Sequence, residues 1–183
     1  CIAKIRPGVE YRDIHLLAAT VIAQGLVDLG ILRGQPEDLV EMDAHALFFP
    51  HGIGHLLGLD VHDMEDLGDI AGYEEGRKRS DRFGLNYLRL NRPLRPGMLV
   101  TIEPGFYQVP AILTDRDRRE KYRDVVNWER LTQFADVRGI RIEDDVLVTD
   151  TGREVLTAAL PTKAEAVEAL VQGDLSQLEA AYS

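Results

Sequence analysis

Three of the chain's five histidines, His51, His55 and His62, fall within twelve residues. Imidazole is a common divalent-metal ligand and the side chain best suited to proton transfer near neutral pH. The four-residue spacing of His51 and His55 could place both rings on one helical face, as in helical zinc sites. Gly52 and Gly54 oppose that arrangement, each costing about 1 kcal/mol relative to alanine in a helix. The glutamate that follows the first histidine of such sites is absent too. Gly52-Ile53-Gly54 is therefore expected to be an extended strand that lets another backbone approach closely. At this level a histidine cluster without metal stands as an equal alternative.

Two glutamates carry the chemistry further. Glu103 ends the apolar run Leu99-Val-Thr-Ile, and Glu143 interrupts Ile140-Arg-Ile-Glu-Asp-Asp-Val. A carboxylate on a buried strand must be paired, hydrogen-bonded or metal-bound, because desolvating a bare charge is prohibitive. Strand alternation sets Arg141 and Glu143 on one face. The plainer reading is an Arg141–Glu143 ion pair, with Glu103 a strand-end residue. The other is a shell of one neutral imidazole and two carboxylates, suited to a pair of hard or borderline ions such as Mn²⁺, Co²⁺ or Zn²⁺. Two ions about 3.5–4 Å apart can share a hydroxide and polarise a scissile carbonyl together. Such a shell needs more than three protein ligands, and no fourth is equally persuasive.

The elements that must position these residues are readable in outline. Ile14, Leu17, Ala18, Val21, Ile22 and Leu29 recur at helical spacing, predicting a helix from about Tyr11 to Leu29, stopped by Gly30. Residues 35–47 read as a loop and short helix. Asp63 to Arg82 reads as a long surface loop, with Arg77-Lys78-Arg79 as solvated surface. Met98 to Glu103 reads as a strand between Pro96-Gly97 and Pro104-Gly105. Residues 113–136 read as a partly helical insertion, Ile140 to Val148 as a strand with one buried face, and Lys163 to Val171 as a final helix. A helix followed by strands with long excursions between them indicates an α+β fold.

Bulk properties narrow the classes. The 183 residues suffice for one domain with a real core. A net charge of −10 argues against binding nucleic acid, which needs a basic surface. No apolar run reaches membrane-span length, and the lone Cys1 permits no internal disulfide, which fits a reducing, cytoplasmic compartment. The chain begins inside the apolar stretch Cys1-Ile-Ala-Lys-Ile, which reads as the C-terminal portion of a longer polypeptide.

Phe49-Pro-His51-Gly-Ile-Gly-His55 with Leu57-Gly-Leu-Asp-Val-His62-Asp63, then Pro96-Gly-Met-Leu-Val-Thr-Ile-Glu103-Pro-Gly-Phe-Tyr107, then Gly139-Ile-Arg141-Ile-Glu143-Asp-Asp145 occur in that order. Together they resemble the pita-bread metallopeptidases, Xaa-Pro aminopeptidase and prolidase (Xaa-Pro dipeptidase) above all, from about Arg6 to Leu170. The resemblance implies a pita-bread fold in which residues 1–183 form the C-terminal part of the catalytic domain. The N-terminal domain and first ligand strands would lie elsewhere in the polypeptide, which would supply two aspartates.

By the same resemblance His55, Glu103 and Glu143 are metal ligands, with Glu143 bridging two divalent ions, manganese first and cobalt or zinc as options. Glu103 also takes the proton of the attacking water. His51 and His62 hold substrate and stabilise the tetrahedral intermediate, and Arg141 supports Glu143 from behind. Arg89, in Leu88-Arg-Leu-Asn-Arg92, matches an arginine that clamps the free carboxylate of a dipeptide; a surface arginine stacked beside Tyr87 is its plainer reading. Gly72-Tyr-Glu-Glu-Gly76 and the insertion from Leu113 to Val137 also favour the dipeptidase. The implied activity is hydrolysis of the bond preceding proline in Xaa-Pro dipeptides, by a hydroxide bridging two metals, in a homodimer. An aminopeptidase acting on longer peptides and a metal-free peptide- or protein-binding module are the alternatives.

Overall fold

Sequence periodicity and backbone geometry agree along the first helix. The computed structural model describes residues 1–173 and places α1 at Tyr11–Asp28. Asp13 in its first turn faces the positive end of the helix dipole. Gly30, at φ 72°, takes the left-handed conformation that ends helices most cheaply. A short α2 follows at Pro36–Glu41, with proline in its first turn, where the missing N–H costs nothing. Among the described residues, no helix is long and apolar enough to cross a membrane.

Two small sheets carry the rest of the frame. β1 (Leu99–Ile102) pairs antiparallel with β4 (Asp144–Val148), which pairs with β5 (Arg153–Val155). β2 (Gly105–Tyr107) pairs antiparallel with β3 (Gly139–Arg141) as a separate ribbon. The expected single strand from Ile140 to Val148 is thus two strands. Pro104, which has no N–H to donate, separates β1 from β2, and Ile142-Glu143 is the matching break on the other side. Only a 3.3 Å bond from the Ile142 N–H to the Pro104 carbonyl bridges it.

α1 divides the interior. One face, with Tyr11, Ile14 and Ala18, packs on Ile53, Val100, Ile102 and Val146 of the sheet side. The other, with Ala19, Ala23 and Leu26, packs on Leu39, Leu47, Tyr122 and Val126. The expected insertion is partly helical, with α4 at Pro110–Leu113, α5 at Arg116–Lys121 and α6 at Trp128–Thr132, after a four-residue α3 at Asp69–Gly72. The final helix is α7, Ala164–Val171.

Two expectations fail. Ile140 and Ile142 are 59% and 44% exposed, so the β3 end has no buried face. In the two-stranded β2–β3 ribbon, Phe106 of β2 stacks on Phe48 of the core, whereas β3 is exposed along its length. Arg77 is not free solvated surface either. Its guanidinium takes both Glu10 oxygens at 2.6 and 2.9 Å and Glu74 at 2.7 Å, tying residues 74–77 to the start of α1.

Candidate metal centre

The histidine segment is not helical. Ile53 to Leu57 runs alongside β1 in an irregular extended conformation rather than as a regular strand. The Glu103 N–H donates to the Ile53 carbonyl at 2.8 Å, Thr101 to His55 at 3.0 Å, and Leu57 to Leu99 at 3.0 Å. The expected close approach is real. A Cβ on Gly54 would lie 2.2 Å from the Thr101 carbonyl oxygen and 2.4 Å from the Tyr11 hydroxyl. Only glycine lets the chain run this near β1.

This apposition delivers His55 to Glu103. The two side chains are buried, with Nε2 of His55 3.1 Å from Oε1 of Glu103. Nδ1 of His55 lies 2.8 Å from the Leu56 carbonyl oxygen. A carbonyl only accepts, so Nδ1 carries the hydrogen. In neutral imidazole Nε2 is then a lone pair facing a carboxylate oxygen, a repulsive contact unless a proton or cation lies between them. Without a metal ion the proton fills that role. Burial works to lower the His55 pKa, but the bonds to Glu103 and Leu56 and the Glu103 charge outweigh it, and the pKa rises. Burial likewise pushes the Glu103 carboxyl up, yet His55, Arg141 and His51 hold it below its ordinary value.

Glu143 arrives from the opposite strand. The register pairs Ile102 with Asp144 and Gly105 with Arg141, so the same register carried across the Pro104 break sets Glu103 opposite Glu143. Like charges directly opposite across a strand pair repel. His55, Glu103 and Glu143 each offer a ligand atom, all within 4.8 Å of one another. One imidazole lone pair and two facing carboxylates fit a divalent cation, which would remove both repulsions. Contrary to expectation, Glu143 is exposed rather than buried, because it sits at the break next to the exposed strand β3.

Arg141 also differs from its expected partner. Its Nη1 lies 3.2 Å from Oε2 of Glu103, and its Nε donates to the Tyr107 hydroxyl at 2.6 Å. It therefore steadies Glu103, diagonally across the strands, with no ion pair to Glu143. Two residues beyond the sequence candidates complete this arrangement. Thr101 accepts from the His55 backbone N–H at 3.0 Å and donates to Oε1 of Glu103 at 3.2 Å. Tyr107 lies over Gly105 and Gly139, where a Cβ would meet its ring at 2.6 and 2.9 Å. Strand alternation was the available signal, since Thr101 shares a face with Glu103, and Tyr107 with Gly105.

The other candidates divide. His51 is half-buried against Phe49 and Tyr107, ring centroids 4.9 and 5.3 Å away. Its Nδ1 donates to the Gly52 carbonyl at 2.7 Å, while its buried Nε2 has no hydrogen-bond partner. Burial, ahead of the Gly52 bond and nearby charges, lowers its pKa, so it stands neutral with an open acceptor. The exposed His62 ring packs edge-on to His55 at 4.4 Å. A cavity of about 230 Å³ opens beside them, lined by His55, Asp63, Glu65, Tyr87 and Arg89 among others. Arg89 reaches this cavity, but its Nη1 donates to Glu65 Oε1 at 2.7 Å. A Glu65 contact was not foreseen, because Asp63 to Arg82 carries no period from which an inward side chain could be picked.

Comparison with known proteins agrees with this geometry. The model of metallopeptidase family M24 matches residues 1–150. The Xaa-Pro dipeptidase of Homo sapiens is 41% identical over 169 residues, covering 92% of this chain and 33% of that protein. The Xaa-Pro dipeptidase of Stenotrophomonas maltophilia (strain K279a) is 43% identical over 155 residues, covering 85% and 34%. Among solved structures, proline aminopeptidase P II from Yersinia pestis superposes with a TM-score of 0.62 at 34% identity, over 93% of this chain and 31% of that one. The expected α+β pita-bread architecture is borne out by this likeness. The chain spans about a third of the length of the curated relatives it matches.

Proposed function

The chain belongs to metallopeptidase family M24, and from that premise we propose that the complete polypeptide hydrolyses the bond preceding proline in Xaa-Pro dipeptides. The observation that carries this reading is the facing set of His55, Glu103 and Glu143, a neutral-imidazole lone pair and two opposed carboxylates within 4.8 Å. They would hold two divalent ions, manganese first, with cobalt or zinc as substitutes. When bound, such a pair supplies an activated hydroxide and polarises the scissile carbonyl. Residues 1–183 are then the C-terminal part of the catalytic domain. Two further aspartate ligands come from the part of the relatives' length that this chain does not span. A cytoplasmic homodimer is the assembly proposed.

The chain's own residues divide the remaining work. Glu103 takes the proton of the attacking water, and its oxygens are already aimed by Thr101 and Arg141. Neutral His51 offers Nε2 as an acceptor, and on gaining a proton it becomes a donor to the oxygen of the tetrahedral intermediate. His62 closes the site over His55 and contacts substrate. Arg89 holds the terminal carboxylate, since a guanidinium fork matches it in shape and charge.

The test is proline release from Ala-Pro by the intact polypeptide loaded with Mn²⁺, Co²⁺ or Zn²⁺. No cleavage of any Xaa-Pro substrate with any of these ions refutes the proposal. A second reading, an aminopeptidase taking longer peptides, gains support from the Glu65 contact, which leaves Arg89 already paired. Arg89→Ala separates the two: a loss confined to dipeptides supports the dipeptidase, and an equal loss on Ala-Pro-Ala supports the aminopeptidase.

A further inference from the structure

Among the described residues, Glu65 is the carboxylate that contacts both residues proposed to grip the substrate at the far side of the cavity. Its Oε1 accepts from Arg89 at 2.7 Å, and its Oε2 lies 3.6 Å from Nδ1 of His62. It thus presents to this pair the same functional group as the free end of a dipeptide.

The segment that carries Glu65 is lightly held. Leu59, Val61, Met64, Leu67 and Ile70 all project into solvent, with exposures between 52% and 102%. The short 3₁₀ turn Glu65–Leu67 and α3 bury no residue. Met64 stands in the left-handed region at φ 59°, a conformation that a non-glycine residue adopts only at a cost, and Gly68 follows at φ 76°. With no apolar anchor, this segment is tied down by the ion pairs Glu65–Arg89 and Asp69–Arg79, the bond from Arg92 Nη1 to the Ala71 carbonyl at 3.2 Å and the His62–His55 ring contact. Exposed pairs of this kind are weak and exchangeable.

We propose that Glu65 is an internal ligand of the Arg89–His62 subsite, which a substrate carboxylate must displace, so that Glu65 weakens the preference for peptides ending at proline. This rests on the Xaa-Pro reading above. A ligand that binds only when Glu65 has left binds more weakly by the fraction of molecules in which the subsite is free. A peptide whose chain continues past proline, or ends in an amide, carries no competing charge there. Glu65 therefore lowers the discrimination that Arg89 alone would give.

The experiment is calorimetric binding of proline and of prolinamide to the intact, metal-loaded polypeptide and its Glu65→Gln variant. Glu65 is exposed, so the variant keeps its fold. Proline affinity is expected to rise roughly two- to fivefold, the worth of an exposed ion pair. Prolinamide affinity is expected to stay as it was, and the gain should vanish when Arg89→Ala is combined with Glu65→Gln. Proline affinity that is unchanged or weaker overturns the inference, as does an equal gain for proline and prolinamide. In both cases the Xaa-Pro reading survives. If neither protein binds proline, that reading fails, and the role of Glu65 fails with it.

Discussion

Gly54→Ala is the substitution on which the geometry speaks most sharply. The added methyl would lie 2.2 Å from the Thr101 carbonyl oxygen, 2.4 Å from the Tyr11 hydroxyl and 2.6 Å from Thr101 Oγ1. None of the three can yield easily. The carbonyl belongs to β1, the buried Tyr11 hydroxyl donates to it at 2.6 Å, and Oγ1 is bonded to His55 and Glu103. Relief requires residues 53–57 to lift from β1, or Tyr11 to withdraw. Overpacking a close-packed site costs about 1–3 kcal/mol, and a buried hydroxyl or carbonyl left unpaired adds about 1–3 kcal/mol. The expected loss is therefore roughly 4 kcal/mol, a large share of the roughly 5–15 kcal/mol typical of a folded domain. Gly58→Ala is the control. Its methyl also meets an atom at 2.5 Å, but that atom is in the half-buried carboxylate of Asp63, the far end of a flexible side chain. Its cost should stay below about 1 kcal/mol. Urea unfolding followed by far-ultraviolet circular dichroism measures both, and metal affinity should fall in Gly54→Ala alone, because His55 moves with its backbone. Equal losses in the two variants, or a loss below about 1 kcal/mol in Gly54→Ala, would refute the reasoning.

Three further outcomes are expected. Thr101→Val removes the acceptor for the His55 N–H and a donor to Glu103, so stability should drop by about 1–3 kcal/mol, and chelator competition should show metal affinity falling roughly tenfold or more. Arg141→Lys keeps the charge but cannot reach Tyr107 and Glu103 together from one ammonium. Metal affinity should again fall roughly tenfold, whereas an unaltered value would show that charge alone suffices. His15 and His45 are buried beneath Gly84 and Asp43, and burial, helped by the charges of His51 and Arg12 on His15 and of His15 and Arg82 on His45 and opposed by Asp43, lowers both pKa values to about 4. The unfolded chain therefore binds protons before the folded one does. Stability should be fully present above pH 6.5 and fall as pH drops toward 4, by roughly 3 kcal/mol per histidine at most. His45→Phe should flatten that slope in a pH series of urea midpoints, and an unchanged slope would exclude His45 as a source.

How much of this was readable from the residues depends on whether a feature is local. α1 has a 3.6-residue period and a terminating glycine, so its span emerges within one residue at the C-terminal end. The glycines around Ile53 announced a close approach, and Glu103 was conspicuous in an apolar run. The exposure of Ile140, Ile142 and Glu143 was not readable, because alternation says that residues share a face and not whether another layer covers it. Partnership was equally hidden. Arg141 and Glu143 share a face in sequence, yet Arg141 turns to Glu103 because β2 pairs with β3 in a register that brings Arg141 opposite Gly105, where the Tyr107 ring lies and offers its hydroxyl to Arg141. The same register explains why the site suits a cation. A histidine pair four residues apart is compatible with many roles. Two carboxylates set opposite each other at a proline break, with an imidazole lone pair turned toward one of them, repel less with positive charge between them. The fitness of this site for metal is thus written less in the His51–His55 spacing than in the pairing that sets position 103 against position 143.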